Sequence, residues 1–330
     1  MRTPKLLITS VVMMLFVSLM QLQGQPSAPG VHDPVVAKHG DTFYLYCTGN
    51  GVSVLSSKDL KTWQREPQVF ATPPQWALDE VPGYRGHTWA PDISFHNGKY
   101  YLYYSCSSFG KNSSSIGVAT NVTLDPKDPA YKWEDHGRVV QSVPGRDMFN
   151  AIDPNLIVDD EGTPWLCFGS FWQGMKIVKL RPDMLAVAIP QVWGTVARRP
   201  RAPTLQETNA GDGAIEAPFI FKKGKYFYLF VSFDFCCKGA QSDYKIAIGR
   251  SEKVTGPYLD RAGKRMDEGG GTILLAGNAT YPGVGHSATY TFDGKDYLFA
   301  HAYNATANGR SELIVREIVW DSEGWPTVSW

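Results

Sequence analysis

This chain has little cysteine, and the five it has form no pattern: the count is odd and no Cys-x-x-Cys pair occurs. A zinc ribbon and a thioredoxin-like redox motif are therefore excluded. Cys47, Cys106 and Cys167 fall in or just after strand-like runs, where a small thiol fills buried space. Cys236 and Cys237 are neighbours, a geometry that disfavours an ordinary disulfide between them, so no disulfide framework is expected. A charge bias is also missing. Lysine plus arginine and aspartate plus glutamate both number 32, so nothing draws the chain to nucleic acid or to an anionic membrane. No stretch carries long helical periodicity and no Gly/Ser linker divides the sequence, so a single domain over residues 25–330 is expected. At the start, Arg2 and Lys5 flank the beginning of an apolar run from Leu6 to Met20, and polar residues follow to Gln25. That is the layout of a signal peptide over residues 1–24, short for a membrane span. The mature chain is expected to be secreted or periplasmic, without a span; an uncleaved anchor is the alternative.

What is present is a repeated hairpin. Asp33 precedes Val35-Val36-Ala37, a turn at Gly40, and Phe43-Tyr44-Leu45-Tyr46. The same unit follows Asp92, Asp153, Glu216 and His286, each time an apolar run, a turn and an aromatic-rich return. These anchors are 59, 61, 63 and 70 positions apart. A long β-rich unit present five times reads as an all-β, five-bladed β-propeller, with the heads of the innermost strands facing one another around the axis. Four of those heads are carboxylates. Any one of them could simply cap a turn, but gathering them at one axis is costly unless they serve a purpose.

Two carboxyl groups across a cleft can split an acetal, one protonating the leaving oxygen while the other activates water or attacks. Glu216, in Ile215-Glu216-Ala217-Pro218, has an apolar neighbourhood suited to an acid; Asp33, beside His32, suits a group that stays ionised. Asp153 is a third carboxylate, whose charge near Glu216 would raise the acid's pKa. Asp92 is expected to act structurally, satisfying backbone amides. Longer connections between strands carry Trp89, Phe109, Phe171 and Trp172, apolar rings suited to the faces of sugars. For Trp63, Trp133 and Trp165 packing between blades is the better reading.

The motifs His32-Asp33-Pro34, Trp89-Ala90-Pro91-Asp92, Ala151-Ile152-Asp153-Pro154-Asn155 and Ile215-Glu216-Ala217-Pro218 resemble glycoside hydrolase family 43. Phe168-Gly169-Ser170-Phe171-Trp172-Gln173-Gly174 and Phe233-Asp234-Phe235-Cys236-Cys237-Lys238-Gly239 are similar to its endo-α-1,5-L-arabinanases. The resemblance implies an extracellular inverting enzyme, with Asp33 as general base, Glu216 as general acid, and Asp153 tuning and orienting the acid. It implies that His32, Trp89, Phe109, Asn155, Phe171 and Trp172 contact the substrate. It also implies that His286 faces a metal, calcium above all, in the central channel, largely through water. Where family members often carry Pro-Gly-His-Asn, this chain has Val284-Gly285-His286-Ser287. Arabinan and arabino-oligosaccharides are the expected partners, and a monomer the expected state. The alternatives are an exo-acting arabinofuranosidase or xylosidase of the same fold, or a lectin that binds sugar without cutting it.

Overall fold

Apolar, aromatic-rich runs interrupted by Asn-Gly, Asp-Gly and Lys-Gly turns close one antiparallel hairpin after another. The computed structural model describes residues 28–202, 206 and 208–330. The leader expected over residues 1–24 lies outside the described residues. Among the described residues five antiparallel sheets of three or more strands follow in chain order and form a five-bladed β-propeller, and a two-stranded pair, Val319–Trp320 with Pro326–Thr327, comes after them. The first blade runs Val35–His39, Thr42–Cys47, Ser53–Ser57 and Gln64–Glu66. The second runs His87–His96, Lys99–Cys106, Ser114–Asn121 and Glu134–Ser142, with Gly49–Asn50 paired to its inner edge. Asn155–Val158, Pro164–Phe168, Met175–Lys179 and Trp193–Ala197 make the third. Ile215–Lys223, Tyr226–Phe233, Lys245–Ser251 and Thr272–Leu275 make the fourth. The fifth has three strands, Val284–Phe292, Lys295–Asn304 and Arg310–Glu317. Leu313 on its outer strand donates a backbone hydrogen bond to the Pro29 carbonyl at 3.0 Å, joining the start of the described chain to its last blade.

The core lies between blades. Ile116 and Val118 pack on Leu166 and Val178 across the second and third blades. Cys167 and Ile177 meet Leu229 and Val231 across the third and fourth. Leu45 and Leu55 meet Phe299 and Leu313 where the fifth blade returns to the first. Each sheet thus buries side chains on both faces, which is why its middle strands read as nearly continuous apolar runs rather than strict alternation. Cys47, Cys106 and Cys167 are buried free thiols within this packing. Among the described residues one short α-helix occurs, Gln75–Glu80, and no helix is long and apolar enough to cross a membrane.

Candidate active site

The inner strands begin with a kink that recurs in all five blades. Asp33, Ala90, Asp153, Ala217 and His286 take left-handed backbone conformations, with φ of 56°, 40°, 58°, 55° and 49°. Four of the five precede proline, and three lie at register shifts inside their strands. Such a residue costs of order 1–3 kcal/mol, and strain of this kind collects at functional sites. The kink corrects the equivalence expected from the sequence. Asp33, Asp153 and His286 do share one position, but Glu216 stands one residue before it and Asp92 two residues after it.

Each kinked residue turns its N–H toward the preceding blade. Ala90 donates to Thr48 Oγ1 at 2.8 Å, Asp153 to Ser105 Oγ at 3.1 Å, His286 to Ser232 Oγ at 2.8 Å and Asp33 to His301 Nδ1 at 3.1 Å. In the third blade the residue corresponding to Thr48, Ser105, Ser232 and His301 is Gly169. It has no side chain to offer, and a Cβ there would lie 3.0 Å from the Gly174 carbonyl oxygen. Ala217 N–H is satisfied instead by Asp153 Oδ2 at 3.0 Å. Asp153 is thereby tied to the strand that carries Glu216.

Two residues past the kink a second set of bonds joins the blades. Asp92 accepts Leu156 N–H at 2.8 Å and the Asn155 amide at 3.2 Å; Asn155 Oδ1 accepts Ile220 N–H at 2.8 Å. Asp92 therefore does what was expected of it, and its burial pushes its pKa up to about 7 against these two hydrogen bonds. Asn155 occupies the equivalent place one blade on. It is buried with both ends of its amide engaged, which corrects its expected contact with substrate.

Asp33 sits among imidazoles. Its Oδ1 meets His32 Nδ1 at 2.9 Å and His286 Nδ1 at 3.0 Å, and Oδ2 accepts from Thr48 Oγ1. Burial alone would raise its pKa, but the charge and hydrogen bonds of His32 and His286 outweigh that and hold it well below the usual carboxylate range. Asp153 has the opposite fate. Burial first, then the charges of Glu216 and Asp33, push it up to about 8, against His286 and the Ala217 N–H. His286 is lowered by burial but raised more by Asp33 and Asp153, to about 9. The surroundings therefore favour the ionised form of Asp33, the protonated form of His286 and the neutral form of Asp153. Asp153 is pushed toward its neutral form, which differs from the expectation that it carries a negative charge.

Glu216 is half-buried and held by two hydroxyls, Ser170 Oγ on Oε2 and Tyr244 Oη on Oε1, each at 2.8 Å. Burial and the charges of Glu216 and Asp153 keep the Tyr244 phenol far above its ordinary pKa, so it remains a donor. Gly285 lets that ring in: a Cβ there would lie 2.2 Å from two of its carbons.

Of the other residues expected to touch substrate, His32 bonds Asp33 and remains partly exposed. Trp89 directly precedes a kink, with its indole N–H on His87 Nδ1 at 2.8 Å. Phe109 stands out on its loop, 80% exposed. The Phe171 ring lies 5.9 Å from Phe235, and its N–H bonds the Ile215 carbonyl beside Glu216. Trp172 is 3% exposed, which corrects its reading as an open stacking surface. Cys236 and Cys237 are joined in a vicinal disulfide, correcting the expected absence; a positive φ of 66° at Cys237 accompanies the tight turn. Thr48, Ser170, Tyr244, His301 and Tyr303 were missed. The one available signal was His301, a lone polar residue in the apolar run of Leu298 to Ala302.

The donors here do not form a calcium cage. The acid–imidazole group that comes together among the described residues is His32, Asp33 and His301, two nitrogens to one carboxylate, whereas calcium takes six to eight oxygens. His286 points its Nδ1 at Asp33. Calcium held directly by these side chains does not fit.

The family model for glycosyl hydrolases family 43 matches residues 25–326. The chain is 50% identical to the extracellular exo-α-(1→5)-L-arabinofuranosidase of Cellvibrio japonicus, over 90% of this chain and 86% of that protein. It is 44% identical to the extracellular endo-α-(1→5)-L-arabinanase 1 of Bacillus subtilis, over 90% and 87%. Its fold superposes with a TM-score of 0.90 on the α-L-arabinanase of Cellvibrio cellulosa complexed with arabinohexaose, 49% identical over 92% of this chain and 96% of that one. With the propeller, the kinked inner strands and the acid cluster in place, this chain belongs to glycosyl hydrolase family 43.

Proposed function

We propose that this chain degrades arabinan outside the cytoplasm, hydrolysing α-1,5-linked L-arabinofuranosyl bonds with inversion. The observation that carries this reading is the contrast between Asp33, held ionised, and Glu216, steadied through both oxygens by Ser170 and Tyr244. A carboxylate offers about four acceptor positions. His32 and His286 take two on Oδ1 of Asp33 and Thr48 takes one on Oδ2. The remaining position on Oδ2 takes a proton from water as the water oxygen bonds to the anomeric carbon. Glu216 gives its proton to the departing glycosidic oxygen as the carbon–oxygen bond breaks, and Asp153 positions the Glu216 strand through Ala217 N–H. Phe171 and Phe235 offer apolar faces beside the acid.

The test is Glu216→Ala, assayed on linear arabinan and on an aryl arabinofuranoside with a good leaving group. Turnover of the polymer should fall by about 10²–10⁴-fold and that of the aryl substrate far less, because an activated leaving group barely needs protonation. Equal losses on both would end the acid assignment.

Endo action is the first reading of mode. Exo action is the second, favoured by the name of the Cellvibrio japonicus relative at 50% identity against 44% for the Bacillus subtilis endo enzyme. Early products from debranched arabinan separate the two. Mixed oligomers are expected for an endo enzyme, and one product size from the first minute would establish exo release.

A further inference from the structure

The geometry points to Tyr303 as a positioning residue that fixes the tautomer of His32 and, through it, the orientation of the Asp33 carboxylate, with the Cys236–Cys237 turn supplying part of the restraint. Protons and lone pairs along these contacts leave one arrangement. The Asp33 amide donates to His301 Nδ1 at 3.1 Å, so that nitrogen carries no proton and the His301 proton sits on Nε2. His301 Nε2 lies 3.2 Å from Tyr303 Oη and donates to it. The Cys237 amide donates to the same oxygen at 2.8 Å. With two donors upon it, the phenol can only send its own proton outward. His32 Nε2 stands at 2.7 Å; the Cys237 sulfur, at 3.9 Å, is a weak and distant acceptor. His32 Nε2 is therefore the acceptor, its proton is on Nδ1, and Nδ1 donates to Asp33 Oδ1 at 2.9 Å.

The two backbone amides that start this chain cannot change their role as donors. One belongs to Asp33 itself, and the other to a turn that the vicinal disulfide closes into a small ring. The other tautomer of His32 would set a bare nitrogen against a carboxylate oxygen, two acceptors at hydrogen-bond distance. The carboxylate would then turn, and the Oδ2 position proposed for water would move with it. Tyr303 thus acts on the reaction without touching the sugar. The inference rests on Asp33 being the base, but its first readout does not.

That readout is ¹⁵N NMR of the histidine rings in the intact protein, with the His32 signals identified by their loss in His32→Gln. Wild-type His32 is expected as the Nδ1–H tautomer. Tyr303→Phe should move it to a mixture or to Nε2–H, lowering kcat by about 10–100-fold with KM within about twofold. A wild-type His32 protonated on Nε2 overturns the relay and leaves the base assignment standing. A Tyr303→Phe protein with the tautomer switched and kcat unchanged overturns the positioning role. Failure of the base assignment itself would show separately, as an Asp33→Ala enzyme that keeps its activity.

Discussion

Asp33 and Asp153 occupy the same position in their blades, with φ of 56° and 58°, a proline next in sequence and a backbone N–H bonded to the blade before. Their surroundings differ in one respect that decides everything else. At Asp33 the His32 and His286 rings bond the carboxylate itself, whereas Asp153 feels His286 through its charge, accepts one amide and faces two neighbouring carboxyl groups. Burial is common to both and raises both pKa values. It is overcome at Asp33 and reinforced at Asp153. Equivalent backbone positions thus favour an anion at Asp33 and a neutral carboxylic acid at Asp153.

The same isosteric change should break this pair apart. Asp33→Asn removes the proposed base, and kcat on every substrate should fall by about 10²–10⁴-fold. Asp153→Asn replaces a neutral acid by a neutral amide that still accepts Ala217 N–H, and should cost less than about tenfold at pH 6. Rates on an aryl arabinofuranoside across pH would check both, and equal losses would erase the distinction. Asp153→Ala sharpens it from the other side. Ala217 N–H then has no acceptor, since Gly169 cannot supply one, and a loss of about 10²-fold is expected, larger than for Asn.

Much of the site was readable because proline and carboxylate stand together: Asp33-Pro34 and Asp153-Pro154 mark the kink directly. Glu216 and Asp92 were recognised as acids but given the wrong place in the repeat. The eye aligns on charge, while the backbone aligns on Ala217 and Ala90. Asn155 looked like a ligand contact because its motif adjoins Asp153; only the blade-to-blade register shows that it is the counterpart of Asp92. Tyr244, His301 and Tyr303 escaped for a different reason: the two tyrosines carry no signal in the sequence, and the lone His301 in its apolar run shows no role. Their partners Glu216, Asp33 and His32 lie 28, 268 and 271 residues away, brought close by packing that no local pattern encodes.

The smallest effects concern stability, and they should have opposite signs. A carboxyl whose folded pKa is depressed, as at Asp33, contributes stability above its unfolded value of about 3.9, lost as pH falls through the folded value. Asp33→Asn should therefore lower Tm at pH 7. A carboxyl raised to about 8, as at Asp153, progressively destabilises the fold between about pH 4 and pH 8. Asp153→Asn should raise Tm at pH 8–9 by about 2 °C or more, with the gain shrinking toward pH 4. His286 adds to this trend in the wild type. Its stabilisation is complete below about 6.5 and lost as pH rises through about 9, so thermal scans should show Tm declining across that alkaline window. A Tm gain at Asp153→Asn that is flat with pH would mean that the carboxyl never titrates there.

The hydrogen bond between Leu313 and Pro29 spans 284 positions of sequence, whereas the strands inside each blade pair with near neighbours. During synthesis each hairpin can form as it leaves the ribosome, but the seam of the ring waits for the last blade. Until then Phe43, Leu45 and Leu55 of the first blade lack their partners Phe299 and Leu313. The nascent chain is thus expected to carry an uncovered apolar face from its first blade until its last, with ring closure forming last.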